Sequence, residues 1–168
     1  MARFYSILAC ATVASSFALL PVGSAEAAST STTVSASFLK PLVLTAKQGL
    51  NFGQVVLPTS GSNVTLSISR TGTLTCPAPL SCSGSTSQAV FNAAGSNNQT
   101  VKITVPVVTL SNGTGSTLTM TPDVVASVFL TNSGAPGTDF GVGGSIIVSP
   151  TTPDGNYTGT LTVTADYQ

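Results

Sequence analysis

The stretch Gly155-Asn-Tyr-Thr-Gly-Thr-Leu-Thr-Val-Thr-Ala-Asp-Tyr-Gln168 alternates almost without a fault. Tyr157, Gly159, Leu161, Val163, Ala165 and Tyr167 fall on one face, and Thr158, Thr160, Thr162, Thr164 and Asp166 on the other. Extended chain sends successive side chains to opposite sides, so a period of two predicts a β-strand with one face buried and one wet. Such a strand demands sheet neighbours along its edges and an apolar layer against its buried face, and the rest of the chain must supply both. Because the chain closes on this strand, the strand is expected to be in use.

The remaining composition is suited to that demand. Only 6% of residues are charged, His and Trp are absent, and mean hydropathy is +0.42. Val, Ala and Leu are set among abundant Thr and Ser, with Gly and Pro as punctuation, and the helix-favouring Glu, Lys and Arg are scarce. These residues predict an all-β domain. A formal net charge of zero removes the basic footprint of a nucleic-acid binder. It also removes most of the repulsion that keeps copies apart, which suits a protein that associates.

Short candidate strands recur along the chain. Thr32 to Phe38 alternates, with Val34, Ala36 and Phe38 on one side, and Lys40-Pro41 interrupts it. Further candidates are Leu42–Thr45, Leu50–Leu57, Asn63–Ser69, Gly72–Cys76, Gln88–Asn92, Val101–Leu110, Ser116–Thr121, Val124–Leu130 and Ser145–Ser149. Turn clusters separate many of them, among them Pro58-Thr-Ser-Gly61, Gly95-Ser-Asn-Asn98, Ser111-Asn-Gly113 and Pro153-Asp-Gly155. Strands at this spacing predict a sandwich or a barrel. No internal repeat or linker divides the chain.

At the N-terminus, Arg3 precedes an apolar run, Ile7 to Val22, and Ala25-Glu26-Ala27 supplies the small residues that signal peptidase requires. Residues 1–27 are expected to be a secretory signal cleaved between Ala27 and Ala28, leaving one domain over 28–168. The run is shorter than the roughly 20 apolar residues needed to cross a bilayer, and no later segment replaces it as a span. Ile7-Leu8-Ala9-Cys10 loosely resembles a lipoprotein site, yet almost no apolar segment precedes it. The expected location is the periplasm, the cell surface or the exterior.

Once Cys10 leaves with the signal, Cys76 and Cys82 remain, an even pair in an exported chain, and a disulfide between them is expected. They bracket Pro77-Ala-Pro-Leu-Ser81, a stretch suited to a hairpin tip. Closing so short a loop contributes about 2 kcal/mol in the chain-entropy description. The spacing is not that of a C-x-x-C redox site, and zinc would need two more ligands in a chain without His.

Reaction chemistry finds little material. There is no imidazole base, and the acids after the signal are Asp123, Asp139, Asp154 and Asp166, each beside a turn or on a solvent face. No G-x-S-x-G elbow, P-loop or EF-hand pattern occurs. Gly141-Val-Gly-Gly144 opens a strand rather than a helix and reads as a turn or bulge, not a phosphate cradle. A Ser-Lys dyad would have to use Lys40, Lys47 or Lys102, each of which reads more simply as a charge on a strand edge. No catalytic, cofactor-binding or metal-binding residue is therefore assigned. Asn63, Asn98, Asn112 and Asn156 stand in N-x-T sequons, but a turn already explains most of these Asn residues.

Five segments together carry a resemblance: Leu50-Asn-Phe-Gly-Gln-Val55, Ser87-Gln-Ala-Val-Phe-Asn-Ala93, Gln99-Thr-Val-Lys-Ile-Thr104, Val142-Gly-Gly-Ser145, and Pro153 to Tyr167. They resemble the bacterial domain-of-unknown-function family 4402, which is typical of exported proteins of Gram-negative bacteria. The ending is also similar to those of chaperone-usher pilins and spore coat protein U-like subunits, whose folds are incomplete immunoglobulin-like antiparallel sandwiches. The resemblance implies that fold here. It further implies that Tyr157, Leu161, Val163 and Tyr167 mark a C-terminal strand bordering a groove. Val34, Ala36 and Phe38 would belong to a donor strand given to the next copy, with a periplasmic chaperone as an intermediate partner. The Cys76–Cys82 loop is not a part of that resemblance.

The functional expectation is an exported, non-enzymatic subunit of a pilus-like or surface fibre, assembled by β-strand exchange. Ser31 to Phe38 folding back as an ordinary first strand would make the protein a self-complete monomeric binding module instead. An outer-membrane barrel is disfavoured, because 6% aromatic residues cannot build two interfacial girdles.

Overall fold

The computed structural model describes residues 26–168, and all of its regular structure is β. The chain divides into two units, Met1–Ala36 and Ser37–Gln168. Of the first unit, only residues 26–36 are described; they are exposed and carry no strand. Ala27 and Ala28 lie among them, whereas the apolar run of the expected signal lies outside the described residues.

In the second unit the main sheet is organised on its longest strand, β11 (Thr138–Val148). Val142 pairs with both Ala89 and Val124, and Gly144 with both Ile68 and Pro122. Hence β6 (Ala89–Ala94) and β3 (Val64–Ile68) follow one another along one edge of β11, and β9 (Thr117–Val124) takes the other. Beyond these lie β1 (Val43–Gln48) against β6, β4 (Leu74–Thr75) against β3, and β8 (Val108–Ser111) against β9. A second sheet has the order β10 (Ser127–Leu130), β7 (Gln99–Thr104), β12 (Thr164–Tyr167). A ribbon of β2 (Gln54–Val56) and β5 (Ser81–Ser83) pairs with neither sheet. All of these ladders are antiparallel, and the arrangement is an immunoglobulin-like sandwich.

Two apolar clusters fill it. The first lies between the sheets, with Ala89, Phe91, Ala93, Phe140 and Val142 meeting Val101, Ile103, Val128 and Leu130. Phe91 and Phe140 stack there at 5.9 Å between ring centroids. The second cluster holds Leu66, Val108, Met120, Ile146 and Val148 of the main sheet, with Leu80. No strand of the second sheet covers it; half-buried Leu50, Phe52, Val55, Leu57 and Leu161 do so in part. Each large apolar side chain fully withdrawn from water contributes about 1.5–3 kcal/mol.

Several sequence expectations need correction. Thr32 to Phe38 is not a strand, and Val34 and Phe38 are 91% and 92% exposed. Val101–Leu110 is two strands rather than one, because Pro106 has no N–H to give and Val105–Val107 leaves the ladder. Val124–Leu130 is likewise the end of β9 and all of β10, parted at Val125-Ala126. Strand β11 begins seven residues before the expected Ser145, through glycines that read as a turn. A Cβ at Gly141 would strike the Arg70 carbonyl, and one at Gly143 the Ile68 carbonyl, so the glycines admit a backbone crossing closely over the strand.

Candidate functional site: an open groove along the C-terminal strand

The C-terminal segment runs antiparallel to the whole of β7 and β8, but its ladder is interrupted. Thr158 exchanges two backbone hydrogen bonds with Ser111, at 2.8 and 2.9 Å, and Thr164–Tyr167 pairs with Val101–Thr104. Between these contacts Gly159–Val163 has no ladder partner, because it lies opposite the break at Pro106 and the register slips by one residue across it. The expected strand over Gly155–Gln168 is thus hydrogen-bonded in regular fashion only over its last third. Its alternation nonetheless holds, with Leu161, Val163, Ala165 and Tyr167 half-buried and Thr162, Thr164 and Asp166 exposed. Gly159 is required here for proximity, since a Cβ would stand 2.6 Å from the Thr109 carbonyl oxygen and 2.8 Å from Leu110 Cδ2. The edge turned away from β7 and β8 has no partner strand among the described residues.

Facing this edge is the segment Leu50–Leu57. Asn51 and Ser87 exchange backbone hydrogen bonds of 2.8 and 2.9 Å, the Asn51 side chain accepts from the Gly53 N–H at 2.9 Å, and β2 then joins β5. Leu50 on this wall and Leu161 on the other each pack against both apolar clusters. Between the walls lies a groove of about 1340 Å3, floored by Val108, Leu110, Leu118, Met120, Ile146 and Val148. That exceeds the roughly 300–1,000 Å3 of ordinary small-molecule sites. The groove's floor is the second cluster.

The groove is nearly uncharged. Lys47 and Asp154 are the ionic residues at its rim, and Lys47 is engaged at 2.7 Å by Asp139. The Lys47 hydrogen bond, supported by one from Asn92, holds the Asp139 carboxyl below its ordinary value. Asp123 is paired with Arg70 at 3.2 Å. Among the described residues no group of three or more His, Cys, Asp or Glu is placed to hold a metal. No helix there is long and apolar enough to cross a membrane.

The four residues expected to mark the groove edge divide into two sets. Tyr157 and Leu161 line the groove, with the Tyr157 hydroxyl donating to the Pro153 carbonyl at 2.9 Å. Val163 and Tyr167 pack on the first cluster instead. The Tyr167 hydroxyl donates to the Lys40 carbonyl and accepts from the Ser96 N–H, both at 2.8 Å, while the Lys40 N–H donates to Ser96 Oγ at 2.6 Å. Residues of the wall that sequence reasoning did not assign to a site are Leu50, Phe52 and Val55; the motif Leu50-Asn-Phe-Gly-Gln-Val55 was their signal. Cys76 and Cys82 are bonded, with Cα atoms 6.3 Å apart. They do not close a hairpin tip, for Cys76 follows β4 on the main sheet and Cys82 pairs with Val55 in the ribbon.

The fold and groove define an antiparallel immunoglobulin-like sandwich with an apolar groove along its C-terminal segment. The chain belongs to the family described as a domain of unknown function (DUF4402), whose pattern matches residues 42–167. No curated protein and no solved structure matches the chain. The matched span begins beyond Val34, Ala36 and Phe38, so the family leaves the role of that segment to physical argument.

Proposed function

We propose that this protein is an exported structural subunit of a pilus-like or surface fibre, whose groove accepts an extended strand from a second copy. The observation that carries the reading is the edge of the C-terminal segment turned away from β7 and β8, which has no partner strand among the described residues and lies beside an apolar cluster that no second-sheet strand covers. An added strand satisfies both deficits together, by main-chain hydrogen bonds along the edge and side chains into the groove. Ser31–Phe38 of another copy is the donor, since its alternating Val34, Ala36 and Phe38 are exposed in their own chain. Eight extended residues span about 26 Å. Ala36 is small, so backbone pairing supplies much of the affinity while Val34 and Phe38 set the register.

The disulfide suits an oxidising compartment and thus export. A periplasmic chaperone would occupy the same edge before assembly. Neither catalysis nor a cofactor enters this reading, and near-neutral charge favours association over nucleic-acid binding.

The test compares the domain from Ala28 with one lacking residues 28–38, adding a peptide of residues 31–40. Strand exchange predicts heat-resistant oligomers of the longer form and a shorter form that the peptide stabilises. A longer form that stays monomeric at high concentration sinks the fibre reading and leaves a self-complete binding module.

A further inference from the structure

The N-terminal wall of the groove is fastened differently from the rest of the fold. Strands β2 and β5 pair only with each other, through Gln54 with Ser83, Val55 with Cys82 and Val56 with Ser81. No ladder joins this ribbon to the main sheet or to the second sheet. Its attachments are the Asn51–Ser87 backbone hydrogen bonds ahead of β2, packing of Phe52, Val55, Leu57 and Cys82 on the second cluster, the buried Leu80 beside β5, and the bond from Cys82 to Cys76. Cys76 directly follows β4, and β4 is laddered to β3 of the main sheet through Ser67 with Thr75 and Ile68 with Leu74. The disulfide is therefore the one covalent shortcut between the sheet that floors the groove and the ribbon that walls it.

We propose that the Cys76–Cys82 bond sets whether the groove can take a strand, by holding the β2–β5 ribbon as a fixed wall. The inference rests on the strand-exchange reading above. In the dithiol form the ribbon keeps packing, the connecting chain and the Asn51–Ser87 pair at one end, and a small two-stranded ribbon is barely stable by itself. Phe52 and Val55, beyond the Asn51–Ser87 pair, then lose their defined places, and the groove keeps only the Leu50 end of this wall. Oxidation restores it: the two thiols release two protons and pass two electrons to a disulfide oxidant, which leaves as a dithiol while one S–S bond forms. Both cysteine residues are half-buried rather than fully buried. Acceptance of a strand is thereby tied to arrival in an oxidising compartment, and copies still in a reducing one are kept from assembling.

The experiment uses the full chain, diluted until monomeric, in three states: oxidised, reduced with dithiothreitol, and as the Cys76→Ser/Cys82→Ser variant. Hydrogen exchange is followed at residues 50–57 and 81–83, with 89–94 and 99–104 as internal reference. Binding of a fluorescent peptide of residues 31–40 is measured in parallel. The expected result is exchange at least tenfold faster in the wall, reference strands still protected, and peptide affinity at least tenfold weaker, in both reduced and variant proteins. Unchanged exchange in the wall overturns the proposal, as does equal acceleration in the reference strands, which would signify global unfolding. Faster wall exchange with unaltered peptide affinity overturns it too. If the oxidised protein fails to bind the peptide at all, it is the strand-exchange reading that falls, and the exchange measurement alone then decides the wall.

Discussion

The Tyr167 hydroxyl donates to the Lys40 carbonyl at 2.8 Å, joining positions 127 apart in sequence. The same oxygen accepts from the Ser96 N–H, and Ser96 in turn accepts from the Lys40 N–H. Three elements with no common ladder are thus drawn together: the residue from which the N-terminal segment departs, the turn after β6, and the last strand. In a strand-exchanged fibre the donor segment would leave its own subunit from this clasp.

Tyr167→Phe keeps the ring but removes one donor and one acceptor. The Ser96 N–H is part-buried, and leaving such a group unpaired costs about 1–3 kcal/mol. The variant is expected to unfold several degrees lower, with faster hydrogen exchange around residues 95–97. A melting temperature equal to that of the parent would show that the clasp does not support the fold.

Gly159 offers a steric test. An added methyl would lie 2.6 Å from the Thr109 carbonyl, so the C-terminal segment must lift from β8 and strain its exchange of hydrogen bonds at Ser111. Overpacking of this kind typically costs about 1–3 kcal/mol. Gly159→Ala should lose stability in that range by denaturant titration. Gly49→Ala, with nothing within 4 Å of the new methyl, serves as the near-neutral control, and equal losses in the two would refute the argument.

Asp139 gives a pH signature. Its carboxyl is held below the ordinary value of 3.8 by hydrogen bonds from Lys47 first and Asn92 second. The unfolded chain therefore takes up this proton at higher pH than the folded one, so stability rises with pH through that window. The contribution is present above 3.8 and is lost as pH falls through the folded value. Both partners of the pair are about half exposed, so the effect is modest and screened by salt. In Asp139→Asn the melting temperature should fall less steeply below pH 4 than in the parent; parallel acid limbs would remove Asp139 from the account.

Local pattern carried the strands whose partners lie in ordinary register, such as Asn63–Ser69, observed as Val64–Ile68, and Ser116–Thr121, observed as the longer Thr117–Val124. The first half of β11 escaped because Gly141, Gly143 and Gly144 look like turn residues, and only the crossing of Ile68–Arg70 over the first two and the Met120 side chain against the third show why a strand needs them. Strand β5 escaped because Ser81–Ser83 has no pattern of its own and is extended only by pairing with residues nearly thirty positions earlier. The break at Pro106 was written in the sequence, in a residue without an N–H. The C-terminal half of the groove was legible from alternation, whereas the opposite wall rests on contacts between Leu50, Leu161 and both clusters that no single segment encodes.

Phe38 separates folding from assembly. With its side chain 92% exposed, truncation removes almost no packing within its own chain, and surface changes of that kind stay within about 0.5 kcal/mol. If Phe38 enters the groove of another copy, the same truncation forfeits burial of a large apolar side chain, about 1.5–3 kcal/mol. That corresponds to roughly tenfold to more than a hundredfold in association constant, since about 1.4 kcal/mol is tenfold. Phe38→Ser should therefore leave the denaturation midpoint of the dilute protein unchanged and move the monomer–oligomer equilibrium, read by sedimentation, by that factor. Leu161→Ser reaches the groove from the other side; because Leu161 also packs on both clusters, it should lower stability as well as association. A Phe38→Ser protein that oligomerises like the parent would mean that the groove is filled by something other than this segment.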